Sequence, residues 1–98
     1  MKRLVYPETN EILFLKGVIN YTEFYLTNGK KVISSFTLKR HEEQIDGFLR
    51  VSKSHLLNPE YIKTVKIEGS DKTVILNNGS RIKVSRRRKD VLDQIQLA

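Results

Sequence analysis

The 98-residue sequence contains no cysteine and no tryptophan, and it has only two prolines and one methionine. Without cysteine the chain can form no disulfide, no thiolate metal site and no cysteine nucleophile. Secreted domains of this size are usually stabilised by disulfides, so the absence of cysteine favours a reducing, cytoplasmic compartment. No run of eighteen apolar residues is present, so we expect no membrane segment. The basic N-terminus also lacks the apolar stretch of a signal peptide.

Residues that typically build catalytic or metal sites are scarce. The sequence has two histidines, and His41 is followed by two glutamates but not by the second histidine of a zinc-protease motif. Ser54 and His55 are adjacent, and neighbours on a strand point to opposite faces, so they are not expected to form a catalytic dyad. The five glycines are scattered rather than grouped in a phosphate-binding loop. We therefore expect no enzymatic activity, no cofactor and no metal.

Positive charge is abundant and unevenly distributed. The formal net charge is +7, and residues 81–98 hold six lysines and arginines against two acids. A surface selected only for solubility would intersperse both signs. Basic domains attract nucleic acid or anionic membranes. Because no basic amphipathic helix is visible, nucleic acid is the favoured partner.

Short apolar and β-branched segments predict a mainly antiparallel β structure. Residues 12–15 form a continuous apolar run that suits a buried strand. Asn28-Gly29 separates two strand-like segments and predicts a hairpin with a type I′ turn, which needs positive φ at both residues. Asn78-Gly79 predicts a second hairpin in the same way.

Two short helices are predicted between and after the strands. One covers about residues 37–46, with Thr37 as its N-terminal cap and Gly47 after its C-terminus. The other covers about residues 86–96, with Ser85 as its cap and an apolar face in its second half.

The second predicted helix begins with four cations, Arg86, Arg87, Arg88 and Lys89. The helix dipole is positive at this end, so each cation costs about 0.3–1 kcal/mol. This unfavourable placement indicates an anionic partner, and the free amide groups of a helix N-terminus suit phosphate. The alternative is a solvated charge run without a binding role.

Two ordered segments resemble the signatures of the LytTR DNA-binding domain family. Residues 48–62 read FLRVSKSHLLNPEYI and resemble a signature of the approximate form F-x-R-x-H-R-S-x-L-V-N-x-x-x-I. Residues 78–87 read NGSRIKVSRR and resemble N-G-x-x-I-P-V-S-R-R. Residues 11–15, together with Asn20 and Tyr21, match the first strand and loop. The resemblance covers about residues 10–95 of a single domain, 1–98.

This resemblance implies a fold of small antiparallel sheets stacked in an elongated body. It also implies bacterial transcription regulation as the output domain of a response regulator in a two-component system. DNA would be bound by loops inserted into the major groove rather than by a recognition helix. The expected partners are duplex DNA, with repeated sites, and a receiver or sensor domain in a longer chain or a separate protein.

The resemblance also assigns candidate contacts. Those expected to contact bases are Thr22, Lys53 and Arg87. Those expected to contact phosphates are Ser52, Ser54, Lys83, Arg86, Arg88 and Lys89. The sequence departs from the family at three places: Ser52 replaces the common His, Lys53 the common Arg, and Lys83 a frequent Pro. Lys53 keeps the charge but lacks the planar fork of arginine, which leaves base and phosphate contact both open.

Two other interpretations remain open. The aromatic residues Tyr21, Phe24, Tyr25 and Phe36 would stack bases in a general RNA-binding β module. Alternatively, the domain is a protein-interaction module whose charge serves solubility.

Overall fold

The computed structural model of the chain describes residues 7–88. Eight strands follow one another along this part of the chain: β1 (Ile12–Val18), β2 (Tyr21–Leu26), β3 (Lys31–Ser34), β4 (Leu49–Ser52), β5 (His55–Leu57), β6 (Ile62–Glu68), β7 (Asp71–Leu76) and β8 (Arg81–Lys83). The α-helix within residues 7–88, α1 (Leu38–Gln44), lies between β3 and β4, and 3-10 turns cover Thr9–Glu11 and Pro59–Tyr61. The predicted β-rich class is confirmed.

The first predicted helix is confirmed as α1. The hydroxyl of Thr37 accepts from the backbone N–H of Arg40 at 3.4 Å, which satisfies one of the free amide groups of the first turn. Gly47 follows with φ 84°. No helix within residues 7–88 combines the length and apolar character needed to cross a membrane.

The strands form two antiparallel sheets. The first has five strands in the order β3-β2-β1-β5-β4, and the second has three in the order β6-β7-β8. The Cα atoms extend over 46 × 27 × 20 Å. This agrees with the predicted stacking of small sheets in an elongated body.

A shared core joins the two sheets. The buried residues between them are Leu13, Phe14, Leu49, Val51 and Leu57 from the five-stranded sheet and Val74, Leu76, Ile82 and Val84 from the three-stranded sheet and the residue after it. A second cluster lies under α1 and contains Ile12, Leu15, Phe24, Leu26, Leu38, Ile45 and Leu56. The five-stranded sheet is therefore buried on both faces.

This double burial explains the apolar run in β1. Ile12 and Leu15 belong to the cluster under α1, whereas Leu13 and Phe14 belong to the core between the sheets. The register of β1 against β2 shifts between Ile12 and Phe14, as expected for a β-bulge that re-aims a side chain. A strand with both faces covered has no need of alternating polar residues.

Both Asn-Gly hairpins are present, but the predicted type I′ turn is wrong. Gly29 and Gly79 have φ of 85° and 90°, while neither asparagine has a positive φ. Each turn is a three-residue loop that ends on the glycine, a common hairpin geometry. In both, the asparagine Oδ1 accepts from the amide two residues later, at 2.9 Å for Asn28 and 3.0 Å for Asn78. Asparagine is thus favoured here by its side-chain hydrogen bond rather than by its tolerance of positive φ.

Candidate nucleic-acid interface

Three loops come together at one edge of the molecule. The β1–β2 turn is Ile19–Asn20, the β4–β5 turn is Lys53–Ser54, and residues 85–88 follow β8. The backbone N–H of Gly17 donates to the Ser54 carbonyl at 2.8 Å, and that of Ser85 donates to the Val51 carbonyl at 2.8 Å. These two bonds place the β4–β5 turn between the other two loops. We call the surface formed by residues 19–20, 53–54 and 85–88 the basic edge.

Arg50 holds the β4–β5 turn in place. Its Nε donates to the Ser52 carbonyl at 2.8 Å, and its Nη2 donates to the Lys53 carbonyl at 2.5 Å. Its Nη1 pairs with Glu42 of α1 at 2.7 Å. The Arg50 side chain is only 13% exposed, so its charge serves these internal contacts. The side chain of Lys53, in contrast, extends from a fixed backbone into solvent.

A hydrogen-bonded group of small polar residues surrounds the same turn. Nδ1 of His55 lies 3.0 Å from the hydroxyl of Ser52 and 3.2 Å from that of Ser54. The expectation that Ser54 and His55 point to opposite faces is wrong, because Ser54 lies in the turn and not in a strand. Burial, and to a smaller extent the charge of Lys16, lowers the pKa of His55 from its ordinary value of 6.5. His55 is therefore neutral at pH 7. In the tautomer with the proton on Nδ1, the imidazole donates to a serine oxygen and leaves that hydroxyl proton free for an external acceptor.

The C-terminal cations begin in a 3-10 turn over residues 86–88. The N–H of Arg87 donates to the Ser85 hydroxyl at 3.4 Å, and the N–H of Arg88 donates to the Ser85 carbonyl at 2.9 Å. Arg86 and Arg87 are exposed, and Arg88 is half-buried. The rest of the predicted helix and the predicted phosphate contact Lys89 lie outside the described residues, so the dipole argument stays a prediction.

Two of the predicted phosphate contacts have an internal counter-ion. The Nζ of Lys83 lies 3.9 Å and the Nη2 of Arg86 lies 3.8 Å from Oδ1 of Asp71. Both cationic side chains are at least 70% exposed. Neither distance is a hydrogen bond, and within residues 7–88 the buried Oδ1 has no hydrogen-bond partner. Such exposed ion pairs contribute little to stability.

Thr22 differs from the other described candidates in its burial. Its side chain is fully buried, and its hydroxyl donates to the Phe36 carbonyl at 2.8 Å. In this conformation the hydroxyl is not accessible to a base edge, so the structure argues against the predicted base contact. The accessible residues of the same loop are Ile19, Asn20 and Tyr21. These three residues lie one to three positions before Thr22.

The central signature contains structural residues as well as candidate contacts. Asn58 is buried; its side-chain amide donates to the Ile12 carbonyl at 2.9 Å, and its Oδ1 accepts from the Glu60 amide at 3.0 Å. It therefore joins the end of β5 to the start of β1. The positioning roles of Arg50 and Asn58 were missed, because the sequence shows only that they fit a pattern.

The comparisons with known proteins agree on one family. A family model described as the LytTr DNA-binding domain matches residues 2–96. Among solved structures, the chain is similar to the LytTr DNA-binding domain of a methyl-accepting/DNA response regulator from Bacillus cereus. The TM-score is 0.82 at 17% sequence identity, over 93% of this chain and 85% of that chain; at this identity the likeness shows the fold alone. A search of curated proteins found no match.

Proposed function

Because the chain belongs to the LytTr DNA-binding domain family, we propose that it binds specific duplex DNA sites and thereby regulates bacterial transcription. In this proposal the basic edge enters the major groove with its loops, while the sheets hold those loops in register. The module acts by binding and not by catalysis. It works in the cytoplasm, together with a receiver or sensor domain in the same chain or in a separate protein.

The observation that carries the proposal is that the β4–β5 turn and the cations after β8 lie next to each other. The hydrogen bond from the Ser85 N–H to the Val51 carbonyl holds the segment that follows β8 against β4 of the five-stranded sheet. Exposed Lys53 and Arg87 consequently belong to one surface although they are distant in sequence. Loops fixed on rigid strands can hold several contacts at a constant spacing, as recognition of successive bases requires.

We assign the contacts by side-chain chemistry. Arg87 has the planar fork that pairs with O6 and N7 of guanine, and Lys53 is placed to contact a base or the adjacent phosphate. The remaining candidates meet phosphate: Ser52, Ser54, Lys83, Arg86, Arg88 and Lys89. We also propose that natural sites are repeated about one helical turn apart, so that two modules bind one face of the duplex.

The RNA-binding alternative receives less support from the aromatic side chains. Phe24 is 2% exposed and belongs to the core. Tyr25 is stacked on Phe14 with ring centroids 4.4 Å apart. Phe36 is covered on one face by the guanidinium of Arg40, 5.2 Å from its centroid. These positions do not form the row of open rings that single-stranded RNA needs for stacking.

The test begins with selection of bound duplexes from a random DNA pool, followed by titrations of Arg87→Ala with the selected and a random duplex. We expect Arg87→Ala to weaken the selected site by an extra factor of about 5 to 150, because a bidentate base contact is worth roughly 1–3 kcal/mol of discrimination. Equal losses on both duplexes would reassign Arg87 to phosphate. Preference for single-stranded RNA, or no selected motif, would contradict the function itself.

Lys30→Ala is the matched control. Lys30 is exposed and directly follows the β2–β3 turn, at the opposite end of the five-stranded sheet from the basic edge. The Lys30→Ala substitution removes one positive charge, as Arg87→Ala does. The control should leave the ratio of selected to random affinity unchanged. It should also leave the slope of log affinity against log salt nearly unchanged, whereas loss of one phosphate contact lowers that slope by about 0.9.

A further inference from the structure

Ile19 combines two features that are unfavourable in a folded protein. Its backbone φ is +37°, and among the non-glycine residues at 7–88 no other φ is positive. β-branched residues are poorly tolerated at positive φ. Its side chain is 93% exposed, so it gains almost nothing from burial. Strain of this kind is found where the residue serves a function.

The chain itself provides a comparison for this position. The β6–β7 turn also has two residues, Gly69 and Ser70, and its first residue has φ +61°. Glycine adopts such a φ without steric cost. The β1–β2 turn has the same length, from Val18 paired with Tyr21, yet isoleucine stands at its first position. Turn formation therefore does not explain the choice of residue.

The surroundings of Ile19 indicate what it meets. An open groove of about 470 Å³ lies between the β1–β2 turn, the β4–β5 turn and the start of α1. Ile19 and Tyr21 line one side, and the exposed cations Lys39 and Lys53 line the groove as well. An exposed apolar side chain flanked by cations suits a partner whose surface is anionic and displays an apolar group next to the negative charges.

Duplex DNA presents this combination in the major groove. The 5-methyl group of thymine is the apolar group that base edges display there, next to the phosphate backbones. Isoleucine has a stiff χ1 and stands on a two-residue turn, so little side-chain freedom is lost on contact. We propose that Ile19 contacts a thymine 5-methyl group and makes that base pair a determinant of specificity; this inference rests on the proposed function.

The experiment replaces each thymine of the selected site, one at a time, with deoxyuridine, which removes only the methyl group. At one position per module, the wild-type protein should lose affinity by about four-fold, the factor that corresponds to burying one methyl-sized group. Ile19→Gly should bind the thymine site about that much more weakly and should bind both duplexes equally.

Two variants act as controls. Ile33→Ala shortens another exposed isoleucine, 56% exposed on the outer strand β3, and should keep the discrimination between thymine and deoxyuridine. Ile19→Asn tests the same contact with a residue that tolerates positive φ and should behave like Ile19→Gly. Because both Ile19 variants relieve backbone strain, their urea unfolding midpoints should not fall below that of the wild type.

The possible outcomes distinguish a failure of the proposed DNA-binding function from a failure of the proposed Ile19 contact. A wild-type protein that selects no DNA sequence contradicts the proposed function. A wild-type protein that selects a site but is indifferent to every deoxyuridine contradicts the inference alone, as does an Ile19→Gly variant that still discriminates. If DNA binding is unchanged in both Ile19 variants, the inference is wrong.

Discussion

At the scale of single residues, Asp71 is placed to compete with DNA. Its carboxylate lies within 4 Å of Lys83 and Arg86, two side chains that we propose to meet phosphate. A phosphate group that binds either cation must draw it away from Asp71 or approach the carboxylate itself. In our proposal Asp71 therefore lowers affinity for any duplex, and a specific site offsets this loss with base contacts.

We expect Asp71→Asn to raise affinity for random and selected duplexes alike, by about two- to five-fold at low salt, which corresponds to a surface ion pair of roughly 0.5–1 kcal/mol. Fluorescence anisotropy with both duplexes measures the change. Glu68→Gln is the control. Glu68 is paired with Asp71 across the β6–β7 hairpin, and its substitution makes the same change in charge. The ion-pair partner of Glu68, however, is Lys66 at 2.9 Å. Equal gains in the two variants would mean that net charge, not local competition, is responsible.

At this scale the sequence supplied candidate residues, whose contacts with DNA stay predictions. Arg86 and Arg87 stood out because they belong to a cluster of like charges, and Lys53 came from the family resemblance; all three are exposed. Thr22 was assigned by alignment to the first loop of the family, and an alignment does not show that this side chain is buried. The strain at Ile19 is invisible in the sequence, since backbone φ is set by the turn that the paired strands impose.

At the scale of elements, the β4–β5 turn depends on a side chain that contacts no DNA in our proposal. Arg50 binds the two carbonyl groups of the turn and the carboxylate of Glu42. A lysine keeps the charge but has a single nitrogen at its end. It cannot reproduce the three contacts, so the turn and the side chain of Lys53 would lose their fixed orientation.

Arg50→Lys should therefore weaken the selected site several-fold more than a random duplex, without a change in formal charge. Amide hydrogen exchange by NMR should show faster exchange at Gly17, whose N–H donates to the Ser54 carbonyl, and at Ser54, whose own N–H donates to the Ser52 hydroxyl at 3.3 Å. Glu42→Gln is the matched control, since it weakens one Arg50 contact but leaves both carbonyl contacts. A variant with unchanged exchange and unchanged specificity would remove Arg50 from the positioning role.

Elements were predicted well where the cause is local. The Asn-Gly hairpins and the Thr37-capped helix were recovered because turn and cap chemistry acts within a few residues. The turn type was wrong, because the Asn28 side chain favours a three-residue loop over the two-residue geometry. The position of β5 between β1 and β4 was not predicted, since a three-residue strand carries little periodicity and its pairing is long-range.

At the scale of the whole molecule, the two sheets depend on each other. The core between them takes buried side chains from both, and the backbone bond between Ser85 and Val51 adds a direct link. A three-stranded sheet of this size is not expected to remain folded once its apolar face is uncovered. The two sheets should consequently unfold in one cooperative transition.

Leu76→Ala tests this coupling, because Leu76 is fully buried in the three-stranded sheet. We expect the free energy of unfolding to fall by about 2–5 kcal/mol. The amides of β1 and β7 should lose protection from hydrogen exchange by the same factor, although only β7 carries the substitution. Ile67→Ala, at a position that is 63% exposed in the same sheet, should change stability little. Protection lost in β7 but retained in β1 would show that the sheets are independent.

The hydrogen bond between Ser85 and Val51 also has a consequence for the length of the target site. It anchors the chain two residues before Arg87, and each residue added after the anchor advances the chain by roughly 2–3.3 Å, depending on local geometry. One base step advances the duplex by about 3.4 Å. An insertion or deletion of one residue after Ser85 would therefore move Arg87 by roughly 0.6 to 1 base step relative to Lys53. In our proposal, related modules can acquire binding sites of different spacing by changes in chain length alone, with every contacting side chain retained.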